Sequence, residues 1–597
     1  MSAPIETRKP ELETTISETS VAGPGDLKHR KQRHRTKSRN DVSVRGPEQY
    51  ALAAHKLAHR STTSTSCPGV HFEKIAEFLN APYRSNNRGR YAPSLMTDVQ
   101  QADESFITVY HFTKDEPPHS AQIRTKDDLI TDACGPFSPN CTGRMIFMRG
   151  YQHADWLNTI GSRYNVDYEF FRRHMDFETL KPLSDTFSRP TLPSAFSNVM
   201  QLSISSLSAM RTAADPATVS YQAHLKQQRK DLESLMPESL GNLANPHKTK
   251  GSYGDSIVRR LVVHGSRYFS IEQDISFFVG SRSDEFIILV WSDCGENLCR
   301  DTLAFNLQCD PDDVWCLPTI QHVSAPAFRS RTQHDQDGPD TEGGKASVFQ
   351  NASALASNYG RSLDCRVMAL DPFYVLTEIF RFFTCTEAQF LLMMRSKLEQ
   401  ELDTASDSNK AVPKTWTLFD LDYNRACLNR HIRQLIQLRS FVASREDLDW
   451  PKLYSSDDEC LAKHAEKTAK SLLKDIDALS IDAHALSSDF NAGMNLLMNS
   501  AMTDESQRAI AQAERVAKLT ALAFFFIPLS FTATIFGMNF SEFMRPDGKN
   551  KLSIWVWVLT SFVVISIAYL FLNSHAWRLK DRLIYLLGTR KEKSQVE

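Results

Sequence analysis

The stretch VAKLTALAFFFIPLSFTATIFGMNF, residues 516–540, decides how the rest of the chain is read. Residues 519–536 within it carry no charge. As a helix rising about 1.5 Å per residue, that run covers most of a bilayer's hydrocarbon core. A second uncharged run, residues 554–572, follows a polar loop over 537–553. The two runs predict a C-terminal transmembrane hairpin, TM1 at 519–536 and TM2 at 554–572. Gly537, Met538 and Asn539 stand where the first helix meets the far membrane face.

Working outward, basic residues flank the hairpin on both sides. Arg508, Arg515 and Lys518 precede it; Arg578, Lys580, Arg582, Arg590, Lys591 and Lys593 follow it, in a tail over 573–597. Excess Lys and Arg marks the cytoplasmic side, so both termini are expected there, with the short loop outside. Trp555, Trp557, Tyr569 and Trp577 fall where interfacial aromatics belong. The first span is unusual for an anchor: Pro528 sits in mid-span, and Ser530, Thr532 and Thr534 add hydroxyls to the half nearest the loop. Hydroxyls in lipid need partners or water, which fits either a pore lining or ordinary helix packing.

Upstream of the hairpin, apolar residues recur at intervals of three and four: Leu472, Ile476, Leu479, Ala483, Leu486, Phe490, Met494, Leu497 and Ala501. That pattern buries one face of a helix over many turns. The helix is expected to run from about residue 457 into TM1, bending at Gly493 or around Thr503–Ser506. The stripe could close a bundle within one subunit. Continuity with a membrane helix favours instead a stalk that packs against its own copies. Residues 366–518 are assigned to this helical stalk, with further periodic segments at 376–402 and 426–444.

Residues 67–365 read as a cytosolic α/β domain. Strand-like runs occur at 105–112, 145–148, 257–263 and 286–291, and helical periodicity at 147–177. Two polar segments, 200–255 and 324–356, are expected to be irregular insertions. Residues 1–66 hold few large apolar side chains and read as a disordered basic tail containing KHRKQRHRTKSR at 28–39. That run serves anionic lipid or nucleic acid, or is a solvated tail; with a net charge of −2 over the chain, no nucleic-acid partner is expected. The eleven cysteines all precede the membrane runs and read as reduced thiols. Cys294, Cys299, Cys309 and Cys316 lack the spacing of a structural zinc site. The segment GPDTEGGKAS, 338–347, misses the phosphate-loop glycine spacing, and no nucleophile elbow, zincin or kinase signature is present. Neither an enzyme nor an organic cofactor is expected.

In its full context, PLSFTATIFGMNF at the end of a first span with a second span close behind, the Gly-Met-Asn triplet resembles the signature of the CorA family of magnesium channels. The segment at 147–177 is also similar to one in larger fungal CorA-like proteins. The resemblance implies a funnel-shaped homopentamer whose first membrane helices line a central pore. Asn539 would form the ring at the outer mouth, with Gly537 and Met538 shaping the turn. Ser530 would be a deeper hydroxyl ring, and Ile527, Leu519 and Val516 the apolar rings that close the path. Partners would be further copies of the chain, membrane lipid and divalent cations, with Mg2+ as cargo; the plasma membrane is the expected location. The outer loop departs from the acidic loop of many members: Glu542 and Asp547 are diluted by Arg545, Lys549 and Lys551. That departure leaves a zinc or broader divalent transporter as an alternative, and a non-conducting membrane scaffold as another.

Overall fold

The structure is a computed structural model and describes residues 46–60, 67, 69–84, 105–114, 116–136, 140–176, 192, 197–211, 223–233, 252–282, 285–321, 347–348, 350–406, 414–448, 450–537, 555–567 and 569–570. The run at 28–39, Met538, Asn539, Glu542, Asp547 and the tail from 573 lie outside them.

Strands form where apolar and β-branched residues run together. The main sheet has the order β2-β1-β3-β7-β6-β4-β9. Its members are β1 (Ile107–Thr113), β2 (His119–Ile123), β3 (Cys141–Arg149), β4 (Val199–Met210), β6 (Tyr268–Arg282), β7 (Glu285–Ser292) and β9 (Val314–Cys316). β5 (Arg260–Val263) pairs with the first part of β6, and the short β8 (Leu298–Cys299) and β10 (Ser347–Val348) pair with each other. β3 and β7 run parallel; the other pairs are antiparallel. The central strands are apolar on both faces, with Ile287, Ile288, Leu289 and Val290 all buried, as a sheet covered on two sides requires.

Successive side chains of β6 show the two coverings. Phe278 meets Phe170 of α4 (Tyr168–His174), while Phe277 meets Phe380 of a long helix on the other face. The α4 side is completed by α1 (Pro47–Ala58), α2 (Glu73–Asn80) and α3 (Ala154–Tyr164). α1 corrects the expected disordered tail over 47–58, while residues 1–45 lie outside the described ones. Its Pro47 starts the helix, and Tyr50, fully buried, donates to the Val166 carbonyl at 2.7 Å. Gly161 allows the approach, since a Cβ there would meet the Tyr50 ring at 2.5 Å. A few small or aromatic buried residues suffice where the polar composition points to no core.

The 200–255 insertion is corrected too. It contains most of β4 and a helix, α5, over residues 223–233. In β4 the apolar residues Met200, Leu202 and Ile204 alternate with polar ones, and the buried Ser208 donates to Cys316 Sγ at 3.1 Å. These serines belong to a strand despite their loop-like composition. At the end of the 324–356 insertion, residues 347–348 form β10 and Asn351–Ala354 a 3-10 turn. After α6 (Arg300–Leu307), helices take over: α7 (Pro372–Ser406), α8 (Lys414–Ala443) and α9 (Glu459–Gly537).

α9 is 79 residues long and unbroken through Pro528; at 1.5 Å per residue it spans roughly 120 Å. Its apolar stripe packs against α7 and α8 of the same chain, which corrects the expectation of packing chiefly between copies. Leu472, Ile476, Ala483, Leu486, Phe490 and Leu497 are buried in one core that continues through Phe390 and Phe380 into the sheet. Periodicity dictates that a face is buried but not by what. Gly493 is no bend: a Cβ there would meet Leu402 at 3.2 Å, so the glycine brings α7 close. Ionic contacts flank the stripe, Arg445 to Glu466, Arg439 to Asp477, Arg395 to Asp482 and Lys414 to Asp504.

Beside that shared apolar core, one buried patch of the junction between sheet and bundle is polar. Arg229 of α5 donates to the Val263 carbonyl at 2.9 Å and pairs with Asp420 of α8, which also meets Lys397 at 3.2 Å. His264, buried, has Asn424 Oδ1 and Ser270 Oγ each at 2.9 Å. Asn424 turns its amide nitrogen to the His264 and Asp420 carbonyls, so its oxygen accepts from Nδ1–H and Nε2 accepts from Ser270.

Candidate functional site

Beyond Leu497 the character of α9 changes. Of its remaining residues only Thr532 is buried. Val516, Leu519 and Ile527 are 54%, 65% and 66% exposed, and Phe524, Phe525 and Phe526 about half. α9 is the one described helix long and apolar enough to cross a membrane, and a shorter apolar helix, α10 (Trp555–Ile567), stands in the second run.

The two helices meet through hydroxyls. Thr532 Oγ1 lies 2.8 Å from Ser561 Oγ, and these are the buried residues of the contact, at 4% and 5% exposure. Thr532 donates its own proton to the Leu529 carbonyl at 2.9 Å, so Ser561 is the donor between the pair. Pro528, Leu529 and Phe536, half-buried, flank Thr532 on the same side of α9.

At about 100° per residue, Val516, Leu519, Ile527, Ser530, Thr534 and Gly537 fall within roughly 80° of one another. Thr532 lies roughly 160° from Val516 and Thr534, on the opposite side. The candidate residues on α9 therefore share one exposed face turned away from α10. On that face Thr534 and Thr520 bond back to the Ser530 and Val516 carbonyls at 2.7 and 2.8 Å, which satisfies their protons inside the helix. Ser530 Oγ makes no hydrogen bond among the described residues. Gly537 closes the helix with open space around it. Met538, Asn539, Glu542 and Asp547 are the candidate residues that fall outside the described ones.

Elsewhere the chemistry is structural. Among the described residues no three His, Cys, Asp or Glu side chains gather as metal ligands. Of the stalk carboxylates Asp504 and Glu505, Asp504 is held by Lys414 at 2.7 Å and Glu505 is exposed; Glu514, also exposed, lies nearer the membrane helix. The cysteines are free thiols. Cys294 donates to Gln273 Oε1 at 2.9 Å, and burial pushes its thiol up, away from the thiolate a metal needs.

One constellation is not visible in the sequence: Ser276 Oγ at 2.9 Å from His174 Nδ1, with Asp293 at 3.2 Å from Nε2. All three are buried beneath Trp291, which stacks on His174 at 4.1 Å. Burial lowers the His174 pKa against the pull of Asp293. Burial would raise Asp293, but Arg259 and His174 outweigh it and hold the carboxylate low. Arg259 grips Asp293 through two hydrogen bonds, at 2.6 and 2.9 Å. With no opening for a substrate, this is a core network tying α4 to the sheet. The residue that the sequence leaves without a role at the membrane is Ser561; the signal is a hydroxyl in each span.

Residues 419–573 match the family model described as CorA-like Mg2+ transporter protein, a segment that begins within α8 and runs through α9 and α10. No curated protein matches the chain.

Proposed function

Residues 419–573 form a CorA-like domain, and on that premise we propose that the chain is a passive divalent-cation channel, with Mg2+ as cargo, built as a homopentamer. α9 and α10 form the hairpin in each subunit, with both chain ends in the cytoplasm and the plasma membrane as location. The observation that carries this reading is the face of α9 opposite the Thr532–Ser561 contact. α10 occupies one side, and the other side bears Val516, Leu519, Ile527 and Ser530 unpaired with any other described element. Five such faces around an axis make a conduit apolar at its cytoplasmic half and hydroxylated towards the loop.

The residue types suit the ion. Magnesium sheds water reluctantly, so a ring of neutral Asn539 carboxamides accepts hydrogen bonds from its hydration shell without stripping it. Gly537 and Met538 shape that mouth. Rings of Ile527, Leu519 and Val516 gate by dewetting, and conduction needs only weak binding at each ring. The membrane potential supplies about 2.3 kcal/mol per charge per 100 mV, twice that for a divalent ion, and no catalytic step is involved. Glu542 and Asp547 concentrate cations at the mouth, against Arg545, Lys549 and Lys551 in the same loop. This mixed charge favours a second reading within the class, a broader divalent or zinc specificity.

Flux of Mg2+, Zn2+, Co2+ and Ni2+ into vesicles containing the purified full-length chain tests the proposal. Influx that follows an imposed negative-inside potential and falls at least tenfold in Asn539→Ala is the expected result. Zinc influx without magnesium influx would establish the second reading. No influx of any divalent ion from assembled pentamers would leave a scaffold.

A further inference from the structure

We propose that Thr532 and Ser561 are a positioning pair that sets the rotation of the upper half of α9, and so aims Ser530 and Thr534 at the conduit. The inference rests on the channel reading above. Three observations carry it. Thr532 is the sole buried residue of α9 beyond Leu497, and Ser561 is the buried residue of α10, so the centre of their contact is polar between two uncharged, largely apolar runs. The hydroxyls form a directed chain, Ser561 Oγ–H to Thr532 Oγ1, then Thr532 Oγ1–H to the Leu529 carbonyl. The pair also sits one turn beyond Pro528, which lies inside the helix and lacks the N–H that would bond the preceding turn.

Physics makes the placement consequential. Apolar side chains in lipid gain little by facing a helix rather than an acyl chain, so an apolar contact alone fixes rotation weakly. A hydroxyl pair is directional. Turning α9 by one residue, about 100°, carries Thr532 off Ser561 and brings a different set of side chains to the axis. The proline is where the helix above can swivel on the helix below, and the pair anchors the part above. Its opposite face then has one bearing, the one shared by Ser530 and Thr534.

The test uses the full-length chain in vesicles with Ser530→Cys as reporter, modified by a charged thiol reagent added from the loop side. The parent retains its native cysteines and serves as blank. With Thr532 intact, Ser530→Cys reacts and divalent flux is blocked. Adding Thr532→Val slows modification per assembled pentamer roughly threefold to tenfold, the weight of one interhelical hydrogen bond in lipid. Ser561→Ala does the same, the double variant is no worse than either single one, and Thr532→Ser restores the rate. A role in assembly alone would reduce the pentamer yield and leave the rate per pentamer unchanged, which would overturn the inference. An unreactive Ser530→Cys in the otherwise intact chain would overturn the channel reading itself, and the positioning role with it.

Discussion

The two halves of α9 obey opposite rules. From Glu459 to Leu497 one stripe is apolar and buried, and the remaining faces are polar and bridged to α7 and α8 by ion pairs. From Leu519 to Gly537, past an exposed polar segment at 498–518, the helix is uncharged and apolar on nearly every face, and a threonine is its buried residue. Below, water is the solvent and the hydrophobic effect drives burial of the stripe. Above, apolar faces exposed this broadly suit lipid on one side and further copies of the same helix on another, and the interior contact is polar because hydrogen bonding in hydrocarbon is what a hydroxyl lacks. The same backbone thus serves as a core helix and a membrane helix, and Lys518, the last charged residue of α9, marks the change.

The largest effect that would break the comparison is in the lower half. Phe490 is fully buried where α7, α8 and α9 converge. Phe490→Ala is expected to cost about 3–5 kcal/mol in denaturant unfolding of the solubilised chain. Phe526→Ala, half exposed in the upper half, should change that transition by less than about 1 kcal/mol. Equal effects would mean the halves are not distinct.

A pH dependence sharpens the contrast, because titratable groups stay below. Burial holds the His264 pKa down to about 3, with Asn424 opposing and Arg229 and His431 adding to the shift. The unfolded chain takes up a proton near pH 6.5 and the folded one does not, so this site loses stability as pH falls below 6.5. Between pH 6.5 and 5 the loss is about 2 kcal/mol. Asp274 works the other way: burial pushes it up to about 6 against Arg259, so its contribution fades as pH rises from about 4 to 6. The measurement is therefore the difference between the wild type and His264→Gln across that range. A difference that does not change with pH would place the His264 proton wrongly.

The smallest effect tests the boundary. Lys414 and Asp504 are partly exposed, 24% and 47%, at the last ion pair before the helix turns apolar. Lys414→Met should cost no more than about 1 kcal/mol and shrink further in high salt. A loss of several kcal/mol would make that pair a clamp on the whole upper helix.

Much of this organisation is legible in the chain. Uncharged length identifies residues 519–536, spacing identifies the stripe, and β-branched runs identify β1, β3, β5 and β7. What is not legible depends on partners distant in sequence. The stripe's intervals do not say whether Leu402 or another subunit lies across from Gly493. The serines of β4 look like a loop until Cys316 is beside them. Tyr50 looks solvated until the Val166 carbonyl and Gly161 surround it. At the site, helical spacing alone aligns Val516, Leu519, Ile527 and Ser530, but the bearing of their face needs Ser561, 29 residues from Thr532.

The claim on which the account turns is that this face borders water on a shared axis. Cysteine substitutions at 516, 519, 527, 530 and 534, and at 525, 529 and 536 on the α10 side, would be scanned in vesicles for block of divalent flux by a charged thiol reagent. The account predicts block at the first set and none at the second. Block at 525, 529 and 536 with none at 527 and 530, or block that ignores helical spacing, would contradict it.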